Sequence, residues 1–295
     1  LMHGALTAEQ LMPKNFRFYN PEEHQQIIRA LEARPPLAVI TAAGRGGSMT
    51  GGLYPYPNLE DGDLDIPSVF SDDLTGAAIL ARLGQPARLE SRCQRIPSTG
   101  ENIVARSGQH GPRVVLSAHI DAKPGTPGAL DNAAGVVTLL LLAGLTGGRQ
   151  SGRMIEIVLF NGEDYYASSG EMVYLPFVQQ HAGEILLNIN LDGLGYREGK
   201  TAYSFVELAA PLADTARRVF SRHSGLVEGP PWYQSDHMVF VQNGVGALAL
   251  TSDAAEDIFA RLTHTTADTL EQVAPARLAE TALALREFLE EINHK

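Results

Sequence analysis

The sequence predicts an α/β chain, a three-layer α/β/α sandwich around a mostly parallel mixed sheet, preceded by a small N-terminal α+β domain. Three observations carry that prediction. From about residue 113 onward, short apolar runs alternate with longer helical patterns, which implies βα units and a sheet covered by helices on both faces. Three of those runs end in metal-ligating residue types: Val114 to Ala118 leads into His119-Ile120-Asp121, Met154 to Phe160 into Asn161-Gly162-Glu163-Asp164, and Ile185 to Leu191 into Asp192. In open α/β sheets ligands collect at the carboxyl ends of strands, so these polar ends are expected to converge. The residues before 113 lack the alternation, and the expected division is 1–105 and 106–295.

The elements follow in order. Asn20-Pro21-Glu22-Glu23 is a helix start, with Asn20 as N-cap, Pro21 at the first helical position and acids in the first turn. Ile27, Ile28 and Leu31 supply its apolar face, and Pro35-Pro36 ends it. Leu37 to Ile40 reads as a short buried strand. Residues 44–63 are rich in Gly, Pro and acids and form a loop; their glycines match no phosphate-binding spacing. Ile66 to Phe70 is a short strand, and Ser71-Asp72-Asp73 caps a helix reaching about Leu83. Residues 86–106 suggest two strands, the second over Asn102 to Ala105. Beyond them the pattern predicts strands at 113–118, 154–160, 185–191 and 246–251, and helices at 132–145, 168–180, 209–224 and 275–293. Helix 132–145 is apolar nearly all round and is expected to be buried, stopping at Gly147-Gly148.

Composition narrows the function. With 23 basic against 34 acidic residues the net charge is −11, which disfavours nucleic acid or an anionic membrane surface as partner. No run of about 18 apolar residues is apparent, so no membrane span is expected, and no signal-peptide pattern is visible. The single cysteine, Cys93, rules out an intrachain disulfide and a thiolate zinc cluster; it reads as a small half-buried residue. A metal must therefore sit on His, Asp and Glu.

The strand ends offer such ligands. With Asp131 between the first two runs and His264 after the third, the candidates are His119, Asp131, Asp164, Asp192 and His264, a set sufficient for two zinc ions that share a bridge. Asp121 lies two residues after His119, on the same face of a continuing strand, where it can accept the second ring N–H and fix the tautomer. Glu163, next to Asp164, is the candidate general base for hydrolysis.

These stretches resemble the co-catalytic two-zinc aminopeptidases related to bacterial leucine aminopeptidases and glutamate carboxypeptidase. The matching segments, in order, are AHIDAKPGTPGALDNAAG (118–135), LFNGEDYYASSGEMVYL (159–175), NLDGLGY (190–196), SDHMVF (235–240) and HTTADT (264–269). The resemblance implies that His119 and Asp192 bind one zinc, Asp164 and His264 the other, and that Asp131 bridges them. Glu163 would be the base, Asp121 would orient His119, and a cis peptide is expected at Asp131-Asn132. Two positions depart from the family pattern. Asp164 stands where Glu is common, and Thr263 where a carbonyl-polarising Tyr is common. Ser235-Asp236-His237 is not a nucleophilic triad, since chain neighbours do not line up as nucleophile, base and orienter. His237 reads as structural or pocket-lining. Residues 66–84 also resemble the second half of a protease-associated domain, shortened here.

The implied function is a zinc exopeptidase acting on peptides, an aminopeptidase by preference, with zinc hydroxide attacking the scissile carbonyl. Tyr174, Trp232, Tyr233, Met238 and Phe240 are candidate walls for an apolar substrate side chain. A carboxypeptidase stays open through Arg197 and Arg261, which could hold a terminal carboxylate. A glutaminyl cyclase shares the fold but lacks here the Trp expected at Thr263. A non-catalytic, receptor-like homologue should have lost ligands or base, and all are present. The resemblance suggests a secreted or periplasmic setting; it leaves the oligomeric state open.

Overall fold

The computed structural model describes residues 1–7, 11–12, 14, 16, 18, 20–42, 64, 66–92, 94, 96–108, 110–123, 125–146, 153–165 and 168–293. Cys93, the loop 44–63 and the helix stop at Gly147-Gly148 lie outside the described residues. The chain forms two compact units, Leu1–Thr99 with His264–Thr266, and Gly100–Thr263 with Ala267–Lys295.

In the first unit, α1 (Glu22–Ala33) precedes β1 (Val39–Ala42), β2 (Ser68–Ser71) and α2 (Asp73–Leu80). β1 and β2 pair in parallel, Val39 opposite Ser68. Met2, Leu11, Val39 and Ile66 form a small core, with Ile27 and Leu31 of α1 packed on it. Pro21, not Asn20, occupies the cap position of α1, and no side chain caps it. α2 is capped as expected: the Asp72 carboxylate accepts the Thr75 N–H at 2.6 Å. Two expectations need correction. Leu37 is 99% exposed, so the strand starts two residues later than its apolar run. Residues 86–92 are exposed and form no strand.

The second unit runs β3 (Ile103–Ser107), β4 (His110–His119), a π-type turn (Ala129–Ala133), α3 (Ala134–Thr146), β5 (Arg153–Phe160), α4 (Ser169–His181), β6 (Ile185–Leu191), β7 (Thr201–Val206), α5 (Ala210–Phe220), β8 (Leu226–Glu228), α6 (His237–Val241), β9 (Ala247–Ser252), α7 (Ala255–Arg261) and α8 (Pro275–Asn293). Its seven strands are ordered β3-β5-β4-β6-β9-β7-β8. The middle four, β5, β4, β6 and β9, are parallel to one another, whereas β3 and β7 are antiparallel to their inner neighbours. The mostly parallel mixed sheet is as predicted.

Alternation sorts the strands into two faces. Val114, Leu116 and Ala118 of β4 and Leu187, Ile189 and Leu191 of β6 point into the main core with residues of α3, α5 and α8. Val115, Ser117 and His119, with Asn188 and Asn190, point to the opposite face; all are fully buried. There Glu156 of β5, also fully buried, accepts from Arg106 Nε (2.5 Å), Arg113 (2.8 Å) and the Tyr174 hydroxyl.

α3 is not the buried helix its composition predicts. Val137, Leu140 and Leu141 are 41%, 62% and 41% exposed, because only one side of the helix meets the sheet and α8. The most apolar helical stretch is no unbroken apolar run, since it contains Asp131 and Asn132. Ala129–Thr146 is long and apolar enough by composition to cross a membrane, and it is half buried within the fold. β7, β8, α6 and α7 were not foreseen. Each is short or mixed in composition, and β7 follows β6 with no helix between them.

Candidate metal centre

His119 ends β4 fully buried. Its Nδ1 lies 3.1 Å from the main-chain carbonyl of Asp121, which can only accept, so Nδ1 carries a proton and Nε2 is the nitrogen left to meet a cation. The Asp121 carboxylate is farther from the ring, at 3.7 Å. It turns instead to the loop after β5, accepting the N–H groups of Gly162 (2.7 Å), Glu163 (3.2 Å) and Asp164 (3.2 Å). The reason is local: Ile120 N–H still pairs with Phe160 at 2.8 Å, so the chain leaves the strand only at Asp121, beside the neighbouring turn. That turn requires glycine, since Gly162 has φ 106° and a Cβ there would meet Ser169 Oγ at 2.5 Å.

Around Nε2 of His119 stand Asp131 (3.1 Å), Asp192 (3.4 Å) and Glu163 (3.9 Å). Two overlapping groups, His119/Asp131/Asp164 and His119/Glu163/Asp192, each bring their donor atoms within 4.8 Å of one another. Nε2 is buried and makes no hydrogen bond of acceptable geometry. Four carboxylates gathered on one buried imidazole fit a cation with a preference for nitrogen and oxygen. The electrostatics agree. Burial acts to lower the His119 pKa, but Asp192 and Glu163 outweigh it and the proton affinity rises well above normal. Burial, assisted by Asp192 and Asp164 and opposed by His119, lifts Glu163 well above the usual carboxylate range. A bound cation would reverse both pressures.

Each segment that bears a candidate ligand is anchored. The Asp131-Asn132 bond is cis, as expected. The N–H groups of Leu130 and Asp131 donate to the two carboxylate oxygens of Asp268 at 2.7 and 3.1 Å. On the other side, Asn132 donates to the carbonyl of Leu191 at 2.8 Å and accepts the Gly135 N–H at 3.1 Å. Asp192 ends a polar ladder: Ser117 Oγ donates to Asn190 (2.7 Å), Asn190 to Ser235 (2.8 Å), and the Ser235 hydroxyl to Asp192 Oδ2 (2.7 Å).

The remaining candidates are placed as follows. His264 adopts φ 61°, an uncommon conformation for a residue with a side chain, and falls with Thr265 and Thr266 in the first unit. Thr263 is buried. His237 is fully buried; its Nε2–H donates to Trp232 O at 2.7 Å, and burial pushes its pKa down to about 4. The Tyr174 hydroxyl is engaged by Glu156, and its ring packs with those of Phe160, Phe177 and Phe240. Phe240 is fully buried, whereas Tyr233 is 45% exposed.

Three features were not read from the sequence. Asp268, in the HTTADT segment, and Ser235, in SDHMVF, support the segments of Asp131 and Asp192. Glu171 of α4 and Asp236, at the start of α6, are both buried and interact. Burial lifts Glu171 to about 7, and burial together with Glu171 lifts Asp236 well above its normal range. The available signal was the alternation of Asn188, Asn190 and Asp192 along an otherwise apolar strand.

A family model described as Peptidase family M28 matches residues 102–289. Aminopeptidase YwaD of Bacillus subtilis (strain 168) is 23% identical over 239 residues, 76% of this chain and 51% of that protein. The chain thus spans about half the length of this curated relative. Among solved structures, the zinc aminopeptidase BSAP from Bacillus subtilis superimposes with a TM-score of 0.70 at 20% identity, covering 90% of this chain and 66% of that one. An aminopeptidase from Aneurinibacillus sp. strain AM-1 gives 0.66 at 20% identity, covering 90% and 65%.

Proposed function

This chain belongs to peptidase family M28, and on that premise we propose that it is a zinc-dependent exopeptidase removing N-terminal residues from peptides. The observation that carries the proposal is the convergence of Asp131, Asp164, Asp192 and Glu163 on the buried Nε2 of His119. Two zinc ions per chain fit this donor set. His119 and Asp192 would hold one, Asp164 and His264 the other, and Asp131 both. Bound zinc would supply Lewis acidity to the scissile carbonyl and to the attacking water. Glu163 takes the proton from that water and returns it to the leaving amine, and a base must sit within reach of the reacting atoms to do so. Asp121 holds the turn that presents Glu163. The substrate ammonium is drawn to the same carboxylates.

The other readings have less support. Arg197 contacts the Glu271 carbonyl at 3.1 Å and Arg261 pairs with Asp257, so both guanidinium groups offered for a carboxypeptidase are engaged. A glutaminyl cyclase would want Trp at Thr263. The first unit, read as a shortened protease-associated module, is part of the proposal, as is a secreted or periplasmic setting.

The test pairs metal analysis with a substrate panel. Purified protein should contain zinc and cleave peptides with a free N-terminus, with cleavage abolished by chelator and restored by zinc. Cleavage of N-blocked but not C-blocked peptides would refute the aminopeptidase reading.

A further inference from the structure

We propose that Asp268 is a positioning residue for the metal centre, holding the turn of Asp131 in its ligating shape before metal binds. The inference rests on the reading of Asp131 as a shared ligand. Ala129, Leu130 and Asp131 lie in a π-type turn at the head of α3, where backbone N–H groups have no intrahelical acceptor. Asp268 supplies three acceptors from 137 positions downstream of Asp131: its two carboxylate oxygens take the N–H groups of Leu130 and Asp131, and its carbonyl takes that of Ala129 at 3.2 Å. The side chain is fully buried, so these bonds are not exchanged for water. A carboxylate at a helix N-terminus is also favoured by the helix dipole.

The residue between these bonds and Asn132 is Asp131, whose φ of −118° and ψ of 85° belong to no helix. The turn is thus held on both sides of the ligand, by Asp268 ahead of it and by the Asn132 contact to Leu191 behind it. Leu191 directly precedes Asp192, so the second hold ties two ligand-bearing segments together. Asp268 needs no contact with metal or substrate to act; it fixes the direction in which the Asp131 carboxylate leaves the backbone.

The test compares wild-type protein with Asp268→Asn, which keeps the volume but turns one acceptor into a donor facing an N–H. Two readouts are used: amide hydrogen exchange over 129–133 in the metal-free proteins, and zinc affinity by competition with a chromogenic chelator. Wild-type protein should protect these amides without metal. The variant should lose that protection, bind zinc roughly 10- to 100-fold more weakly, and lose kcat with little change in KM. Zinc affinity unchanged in a variant with lowered Tm would mark a purely structural cap and overturn the proposal. If the variant does not fold, the wild-type arm decides: exchange at open-loop rates over 129–131 in the folded metal-free protein overturns the proposal. A wild-type protein that takes up no zinc would refute the two-ion reading, while the exchange result would still stand or fall separately.

Discussion

A carboxylate that accepts three backbone N–H groups is more than an orienter of a ring. Asp121 meets the His119 ring through its main-chain carbonyl at 3.1 Å and its carboxylate at 3.7 Å, and the same carboxylate organises Gly162, Glu163 and Asp164. Asp121→Asn should therefore leave the His119 tautomer intact and disturb the base and its neighbour. The expected result is a loss of roughly 10- to 100-fold in kcat with a smaller loss of zinc affinity, measured by steady-state kinetics and chelator competition. Equal losses in an imidazole-specific NMR signal would point back to the ring. Glu163→Gln tests the base itself: zinc content should remain, and kcat should fall by about 10²- to 10⁴-fold. The cluster around His119 was legible because ligands at strand ends recur in chain order. Asp268 was not, because a side chain bonding to backbone 137 positions away leaves no spacing to read.

At the level of elements, legibility followed periodicity. β6 and α8 occupy the predicted residues, 185–191 and 275–293, because each has a single clear pattern. α3 misled because uniform apolarity hides which side packs. The polar face of the sheet was hidden too: Glu156 is one acid in an apolar run, and only the tertiary arrangement brings Arg106 and Arg113 to it from β3 and β4. Glu156→Ala removes the acceptor and leaves Arg113 with only 12% of its side chain exposed, so chemical unfolding should show a loss of about 3–5 kcal/mol. The contact of α4 with α6 adds a pH dependence through Glu171. Its folded pKa of about 7 exceeds the usual 4.5, so the folded state binds the proton more tightly than the unfolded chain. That contribution is fully present below about 4.5 and is lost as pH rises through 7. Metal-free protein should lose up to roughly 3 kcal/mol between these limits, and Glu171→Gln should flatten that part of the stability-pH curve. A curve of the same shape in the variant would assign the effect elsewhere.

For the whole molecule, metal and fold are linked. The site gathers Asp131, Glu163, Asp164 and Asp192 in a chain already at net charge −11, so protons or a cation must offset their repulsion. Any ion that binds only the folded state stabilises it by mass action, and the dependence on free zinc counts the ions. One site adds about 1.4 kcal/mol for each tenfold rise in free zinc above its Kd, and two saturating sites add about 2.7 kcal/mol. Denaturant unfolding in zinc buffers of fixed free concentration measures that slope for the unit that holds the cluster. A slope near the larger value supports two ions. A slope near the smaller value would leave one ion on His119 and its nearest carboxylates and remove the need for His264 as a proposed ligand. The same titration on His264→Ala separates the cases: a two-ion centre should fall to the one-ion slope, whereas a one-ion centre built around His119 should not change.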